Sequence, residues 1–151
     1  MQAVVLVGLP GSGKSTFFRQ RFGATHVHVS RDNFRNARNP SRRQAALIEG
    51  TLQEGQDVVV DNTNLRVVDR MPIIEAARRH GAEVVGYFFS PDVAACRLRN
   101  QAREGRARVP DVAIYVAAKR LEPPSSREGF DRLFRVRATG DMRFEVTRER
   151  G

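Results

Sequence analysis

The segment Gly8–Ser15 constrains the fold of this chain more than any other feature. It reads Gly-Leu-Pro-Gly-Ser-Gly-Lys-Ser, and it lies between the apolar run Gln2–Val7 and a helical pattern that extends to about Phe22. This context, between a buried strand and a helix, is typical of a phosphate-binding loop. The glycines let backbone N–H groups turn inward around an anion, and the N-terminus of the helix adds positive potential. We therefore expect a strand, a phosphate-binding loop and a helix at the start of the chain.

Apolar strands and helical segments alternate through the rest of the sequence. Further strands are predicted at 25–29, 58–61 and 84–89, and further helices at 41–54, 67–80, 93–103 and 111–121. After Pro124 the pattern weakens, and Leu133–Arg137 with Arg143–Thr147 are predicted to form a closing strand or hairpin. The alternation implies a parallel sheet flanked by helices. The predicted fold class is α/β, an adenylate-kinase-like P-loop NTPase with an arginine-rich lid, as one domain over residues 1–151.

Composition and cysteine content narrow the protein's class and expected location. The apolar fraction of 40% and the charged fraction of 28% are ordinary for a globular protein, and no apolar run approaches the length of a membrane span. The first residues lack the basic region and cleavage site of a signal peptide. Cys96 is a lone cysteine, which excludes an internal disulfide. We therefore expect a cytoplasmic protein.

The charge balance is strongly basic. The formal net charge is +9, and among the 26 basic residues Lys14 and Lys119 are the only lysines. Such a charge attracts polyanions and speeds their encounter. A GC-rich genome, which fills solvated surfaces with arginine, explains the same numbers. The charge by itself therefore supports a nucleic-acid partner without identifying one.

The phosphate-binding motif predicts an ATP-magnesium site. Lys14 is expected to reach the β- and γ-phosphates, and the Ser15 hydroxyl to ligate Mg²⁺. Asp61 ends the third predicted strand, where an acidic residue binds or orients the magnesium shell; the alternative is a turn-forming aspartate, because Asp-Asn-Thr-Asn also suits a turn. The remaining nucleotide-binding residues are predicted to be Gly11, Ser12, Gly13 and Thr16.

A second group of polar residues follows the second predicted strand, in Ser30–Arg35. Ligands of parallel sheets bind beyond the carboxyl ends of the strands, so this segment is expected to face the phosphate-binding loop. Asp32 could accept the proton of an attacking hydroxyl, and Arg35, one helical turn later, could hold a phosphate near that hydroxyl. The alternative interpretation of Asp32 is a helix N-cap.

Four sequence blocks resemble the polynucleotide 5′-hydroxyl kinases of bacteriophage and animal end-healing enzymes. They are Gly-x-Pro-Gly-Ser-Gly-Lys-Ser-Thr at 8–16, Arg-Asp-x-aromatic-Arg at 31–35, Val-Asp-Asn-Thr-Asn at 60–64, and Arg-Asn at 99–100 followed by Arg103, Arg106 and Val109-Pro110. Together they span most of residues 3–122. The first block is shared by many P-loop kinases, whereas the second and fourth in combination are more specific.

The resemblance implies a role for each matching residue. It implies that Asp32 is the general base for a 5′-hydroxyl and that Arg35 binds the 3′-phosphate of the acceptor. Residues 99–110 become a lid in which Arg99 and Arg106 bind nucleotide and Arg103 braces the transferred phosphoryl group, with Arg106 as the alternative for that last role. An arginine there stabilises charge on the phosphoryl oxygens. A solvated helix face is the other interpretation of this arginine run.

Several side chains near these motifs have two open interpretations. Phe34 could stack on a nucleobase or pack under the acceptor loop. Arg38, with Arg42 and Arg43 after it, could follow a strand's backbone or lie on a solvated helix start. His26 and His28 alternate with valines and are expected to be structural or solvated.

The sequence thus predicts an ATP-dependent phosphotransferase that acts on the 5′-hydroxyl of DNA or RNA. No phosphatase signature of the form Asp-x-Asp-x-Thr and no ligase motif is present, so a separate ligase or phosphatase would have to complete end healing. The residues after 124 match nothing in the family. Two alternatives remain: a kinase of a small molecule such as a sugar acid, nucleoside or antibiotic, and a nucleic-acid-binding NTPase that phosphorylates no acceptor.

Overall fold

The computed structural model describes residues 1–105 and 108–149. Its strands are β1 (Gln2–Val7), β2 (Val27–Val29), β3 (Val58–Asp61), β4 (Glu83–Phe89), β5 (Arg132–Ala138) and β6 (Phe144–Arg148). Its α-helices are α1 (Lys14–Arg21), α2 (Pro40–Gln53), α3 (Val67–Arg79), α4 (Val93–Gln101) and α5 (Asp111–Arg120). Short 3₁₀ helices lie at Arg31–Phe34 and Ser126–Glu128. Every strand and helix predicted from the sequence is present, with ends displaced by at most two residues.

The strands form one sheet in the order β2-β3-β1-β4-β5-β6. The first five strands run parallel, and β6 returns antiparallel to β5. The parallel sheet is confirmed, and the segment after Pro124 is both a closing strand and a hairpin. Strands β2, β3 and β1 lie side by side and run parallel. The loops that follow them therefore meet at one edge of the sheet, beyond the carboxyl ends of the strands.

Alternation along β1 separates two hydrophobic layers. Val5 and Val7 face one layer, where α2 and α3 contribute residues such as Ile48 and Ile73. Val4 and Leu6 face the other layer, where the aromatic residues of α1 pack with the β5–β6 hairpin. Burial of β1 on both faces explains its continuous apolar run.

A third, smaller cluster lies beneath α4 and α5. Cys96, Ile114 and Ala117 pack there against Leu9 of the glycine-rich loop, and all four side chains are buried. This contact fixes the two helices next to the start of α1. Among the described residues, no helix combines the length and the apolar character that a membrane span requires.

Candidate active site

The glycine-rich loop curls around the N-terminus of α1. Gly11 and Gly13 adopt positive φ angles of 81° and 96°, the left-handed region that favours glycine. Gly13 is the N-cap of α1 and provides no side-chain cap, so the first N–H groups of the helix point into the loop. A Cβ at Gly11 would lie 2.5 Å from the Cys96 carbonyl oxygen, which shows how closely α4 approaches. The loop therefore has the geometry of an anion site.

Lys14 is buried inside this loop. Its Nζ donates hydrogen bonds to the Gly8 carbonyl at 3.1 Å, the Leu9 carbonyl at 2.8 Å and the Ser12 hydroxyl at 3.3 Å. Burial lowers the pKa of Lys14 to about 8, although the nearby Asp61 carboxylate opposes this effect. The ammonium is held on backbone carbonyls at the position where the loop would enclose a phosphate.

Asp61, the last residue of β3, is hydrogen-bonded to side chains of α1 and β2. Its Oδ2 accepts hydrogen bonds from the Ser15 hydroxyl at 2.9 Å and from His28 Nε2 at 2.8 Å. His28 is held in turn by stacking on Phe18, with ring centroids 4.0 Å apart. Burial raises the pKa of Asp61, but the His28 hydrogen bond and the Lys14 charge outweigh it, so the pKa lies below its ordinary value. The carboxylate is therefore ionised at neutral pH.

These oxygen donors fit a magnesium ion. Mg²⁺ prefers one or two carboxylates together with water and substrate phosphates. Ser15 and Asp61 supply a hydroxyl and an ionised carboxylate side by side, beside the loop where phosphates would lie. Within residues 1–105 and 108–149, no group of three or more His, Cys, Asp or Glu side chains could enclose a metal ion. Phosphate and water oxygens would therefore have to complete the coordination.

Asp32 and Arg35 lie on the 3₁₀ turn that follows β2. Ser30 caps this turn, because its hydroxyl accepts a hydrogen bond from the Asp32 N–H at 3.3 Å. The alternative interpretation of Asp32 as an N-cap is therefore wrong. The Asp32 side chain is 73% exposed, and its Oδ1 accepts a hydrogen bond from Arg35 Nη2 at 3.1 Å. The carboxylate is thus available to a ligand.

The phosphate-binding loop and the 3₁₀ turn after β2 share one cleft of about 280 Å³. Its predicted site residues are Gly11, Lys14, Ser15, Asp32, Arg35, Asp61 and Arg103. Asn62, Thr63 and Val109 complete much of the remaining wall. Arg103 lies close enough to Lys14 for its charge to contribute to the lowered pKa of that lysine. Residues from four separate parts of the sequence therefore meet in a single cavity.

The other predicted site residues that the structure describes do not line this cleft. Ser12 is buried, and Arg99 holds the loop from the α4 side by donating from Nη1 to the Gly11 carbonyl at 3.3 Å. The Thr16 hydroxyl accepts a hydrogen bond from Arg19. Phe34 is half-buried, Arg38 is exposed, and neither lines the cleft, so their roles stay predictions. Arg106 lies outside the described residues.

Sequence reasoning gave no role at this site to His28, Asn62 or Thr63, and it placed Val109 only within the predicted lid. His28 was expected to be structural or solvated, yet it contacts the carboxylate predicted to serve magnesium. The available signal was its position near the end of β2, but only the pairing of β2 with β3 brings it beside Asp61. Val109 reaches the cleft because its segment folds back onto α4.

A family comparison agrees with this geometry. Residues 4–124 match the family model AAA_33, described as an AAA domain. The chain belongs to this family. The match covers the phosphate-binding loop, the 3₁₀ turn after β2, Asp61 and residues 99–110, and ends before the β5–β6 hairpin.

Curated relatives of this AAA-family chain confirm the resemblance to polynucleotide kinases. A Schizosaccharomyces pombe protein named "Bifunctional polynucleotide phosphatase/kinase" is 27% identical over 139 residues, which are 89% of this chain and 33% of that protein. A protein of Acanthamoeba polyphaga mimivirus with a name of the same kind is 29% identical over 139 residues, covering 87% of this chain and 32% of its own length. The chain thus spans about a third of the length of the curated relatives it matches.

Solved structures support the fold. A fungal RNA kinase superposes with a TM-score of 0.64 over 93% of this chain and 76% of its own, at 16% sequence identity. Together with the family match, this likeness shows a P-loop kinase fold with a mostly parallel sheet flanked by helices. The chain is therefore a nucleotide-binding, kinase-like P-loop protein.

Proposed function

We propose that this protein is an ATP-dependent polynucleotide 5′-hydroxyl kinase, which transfers the γ-phosphate of ATP to the 5′-OH end of DNA or RNA. The observation that carries the proposal is the shared cleft. An exposed carboxylate and an arginine on the acceptor turn, Asp32 and Arg35, open onto the same cavity as Lys14, Ser15 and Asp61. A site that only bound and hydrolysed nucleotide would need no such pair opposite its phosphate loop.

The donor side binds the phosphates of ATP. Backbone N–H groups of Gly11–Gly13 and the N-terminus of α1 would receive phosphate oxygens, and Lys14 would exchange its carbonyl partners for the β- and γ-phosphates. Magnesium, held by Ser15 and Asp61, would neutralise charge on those phosphates. His28 fixes the Asp61 carboxylate by hydrogen bonding to one of its oxygens. Thr16, Arg99 and Arg106 are assigned to nucleotide binding by the resemblance alone.

The acceptor side activates and orients the hydroxyl. Asp32 accepts the proton of the 5′-hydroxyl as its oxygen forms a bond to the γ-phosphorus and the bond from that phosphorus to ADP breaks. Arg35 binds the 3′-phosphate of the terminal nucleotide, a charge-assisted contact that a neutral small acceptor would not offer. Arg103 also lines the cleft, where it stabilises charge on the transferred phosphoryl oxygens.

The surface beyond Arg35 fits a polyanionic acceptor. Arg38, just before α2, and Arg42 and Arg43, in the first turn of α2, are exposed and follow Arg35 in the sequence. The whole chain has a net charge of +9, and these arginines would attract the phosphate backbone of a nucleic acid. Phe34 is assigned to the acceptor side as a stacking residue. We infer a cytoplasmic enzyme that supplies the kinase step of end healing, with any phosphatase or ligase step supplied by a separate partner.

The test is transfer of γ-labelled phosphate from ATP-magnesium to a short single-stranded oligonucleotide with a 5′-hydroxyl. A 5′-phosphorylated copy of the same oligonucleotide is the control. Label on the hydroxyl form alone is the expected result. Label on neither form, in a preparation that binds ATP, would overturn the polynucleotide acceptor and favour a small-molecule kinase. ATP hydrolysis stimulated by the oligonucleotide without labelling it would favour the NTPase alternative.

A further inference from the structure

Asn100, at the end of α4, is a buried polar side chain with an unusually specific set of partners. It is 0% exposed. Its Nδ2 donates to the Val109 carbonyl at 2.6 Å, and its Oδ1 accepts from the Val109 N–H at 2.9 Å. One amide side chain thereby satisfies both backbone groups of a residue nine positions later, as a neighbouring strand would. The same Nδ2 lies 3.5 Å from Asp111 Oδ1 at the start of α5.

These bonds hold two walls of the cleft together. Val109 lines the cleft, and so does Arg103, whose backbone N–H donates to the Asn100 carbonyl at 3.1 Å. The side chain of Asn100 thus fixes Val109, while its backbone fixes the turn that carries Arg103. Replacement of this side chain would leave the Val109 N–H and carbonyl without these partners in a partly buried place.

The other end of α4 is fixed on the phosphate-binding loop. The Cys96 carbonyl lies against Gly11, and Arg99 donates a hydrogen bond to the Gly11 carbonyl. Asn100 follows directly after Arg99. Of these two neighbours in α4, Arg99 contacts the phosphate-binding loop and Asn100 contacts Val109. A continuous series of contacts therefore runs from Gly11 through α4 to Arg103.

We propose that Asn100 is a positioning residue that sets Arg103 in place against the transferred phosphoryl group. The inference rests on the proposed role of Arg103 and adds to it the group that fixes its location. Arg103 is joined to the helix by a turn, and a displacement of about 1 Å at a reacting group lowers rate on the order of a hundredfold. The Asn100–Val109 pairing holds together the two ends of the segment that carries Arg103, and so limits that displacement.

The test is a double-mutant cycle of Asn100 and Arg103. Asn100→Ala, Arg103→Ala and the double variant are assayed for kcat and for the KM of ATP, both in transfer to the oligonucleotide and in ATP hydrolysis. We expect Asn100→Ala to lower kcat by roughly thirtyfold or more while the KM of ATP stays within about threefold. In the Arg103→Ala background the same substitution should lower kcat by less than about threefold, because the group that it positions is gone.

Two further variants separate positioning from folding. Asn100→Ser is smaller and retains a polar atom, and its hydroxyl cannot bridge both backbone groups of Val109, so it should reproduce the kinetic effect with a smaller change in Tm. Arg97→Met removes a partly buried contact between the same two helices, where Arg97 Nη2 lies 3.4 Å from Asp111 Oδ2. It should leave kcat unchanged. Asn100→Ala and Asn100→Ser are compared only at temperatures where circular dichroism shows them folded.

Two results would overturn the inference. One is a folded Asn100→Ser variant with the kcat of the wild type; the other is full multiplication of the two penalties in the double variant. The ATP hydrolysis assay separates failure of this inference from failure of the proposed acceptor. Hydrolysis transfers the same phosphoryl group to water and needs no oligonucleotide. Coupling seen in hydrolysis, with no label on the oligonucleotide, would remove the polynucleotide acceptor and leave the role of Asn100 standing.

Discussion

Asp32 and Arg35 form an ion pair with each other on the turn after β2. Arg35 Nη2 donates to Asp32 Oδ1 at 3.1 Å, across one turn of 3₁₀ helix that Ser30 caps. The proposed base and the proposed acceptor ligand therefore hold one another before an acceptor arrives. An incoming 3′-phosphate would draw the guanidinium toward itself and release a carboxylate oxygen beside the 5′-hydroxyl.

Substitution of the carboxylate should separate chemistry from nucleotide binding. We expect Asp32→Asn to lower the kcat of transfer on the order of a thousandfold, because an amide cannot accept the hydroxyl proton. The dissociation constant of ATP-magnesium, measured by titration calorimetry, should stay within about twofold, since Asp32 lies on the acceptor wall. Glu54→Gln, which removes an exposed carboxylate outside the cleft, is the control. Retention of most of the activity by Asp32→Asn would show that the base is assigned wrongly.

Substitution of Arg35 should weaken binding of the oligonucleotide acceptor and leave binding of ATP unchanged. A charge-assisted hydrogen bond to phosphate contributes about 2 kcal/mol, so Arg35→Ala should raise the KM of the oligonucleotide about thirtyfold and leave the KM of ATP unchanged. The salt dependence of acceptor binding should also become shallower by about one phosphate contact. Arg120→Ala makes the same charge change at the exposed end of α5. It should change neither the KM of the oligonucleotide nor the salt dependence. An unchanged oligonucleotide KM would remove Arg35 from the acceptor site.

The buried ammonium of Lys14 predicts a pH-dependent stability. Its pKa is lowered from 10.5 to about 8 in the folded protein, so between these values the unfolded chain binds more protons. The free energy of unfolding of the wild type, relative to Lys14→Met, should therefore rise as pH increases from 8 to 10.5, by up to about 3 kcal/mol. Below pH 8 the difference should be constant. Urea denaturation of both proteins in the absence of nucleotide measures it, and a difference that is flat from pH 8 to 10.5 would contradict the shift.

Two glycine-to-alanine changes should have opposite effects. Gly11 has a φ of 81°, and a Cβ there would meet the Cys96 carbonyl at 2.5 Å, so Gly11→Ala should strain the loop, lower Tm and weaken ATP binding at least tenfold. Gly50 lies inside α2 with nothing within 4 Å of an added Cβ. Gly50→Ala should raise the free energy of unfolding by about 0.5–1 kcal/mol and leave ATP binding unchanged. Thermal melts with and without ATP-magnesium measure both, and equal ATP stabilisation of Gly11→Ala and wild type would refute the steric argument.

Much of the fold is determined locally and could be predicted from the sequence. The run Gln2–Val7 is apolar on both faces, which a central parallel strand requires, and the glycines of 8–13 permit backbone angles that other residues disfavour. These are properties of neighbouring residues. The alternation of strands and helices then limits the sheet to a few topologies, and places Asp32 and Asp61 at the same edge as Lys14.

The sequence by itself thus determined the phosphate-binding loop, the order of elements and the edge at which the chemistry lies. Only the tertiary structure decided which side chains touch. The pairing of β2 with β3 sets His28 on Asp61, the C-terminal hairpin brings Phe144 against Gly13, and the fold-back after α4 sets Val109 on Asn100. These partners are between 9 and 131 positions apart. Such contacts depend on strand order, register and packing, which arise from the whole chain and leave no local pattern in it.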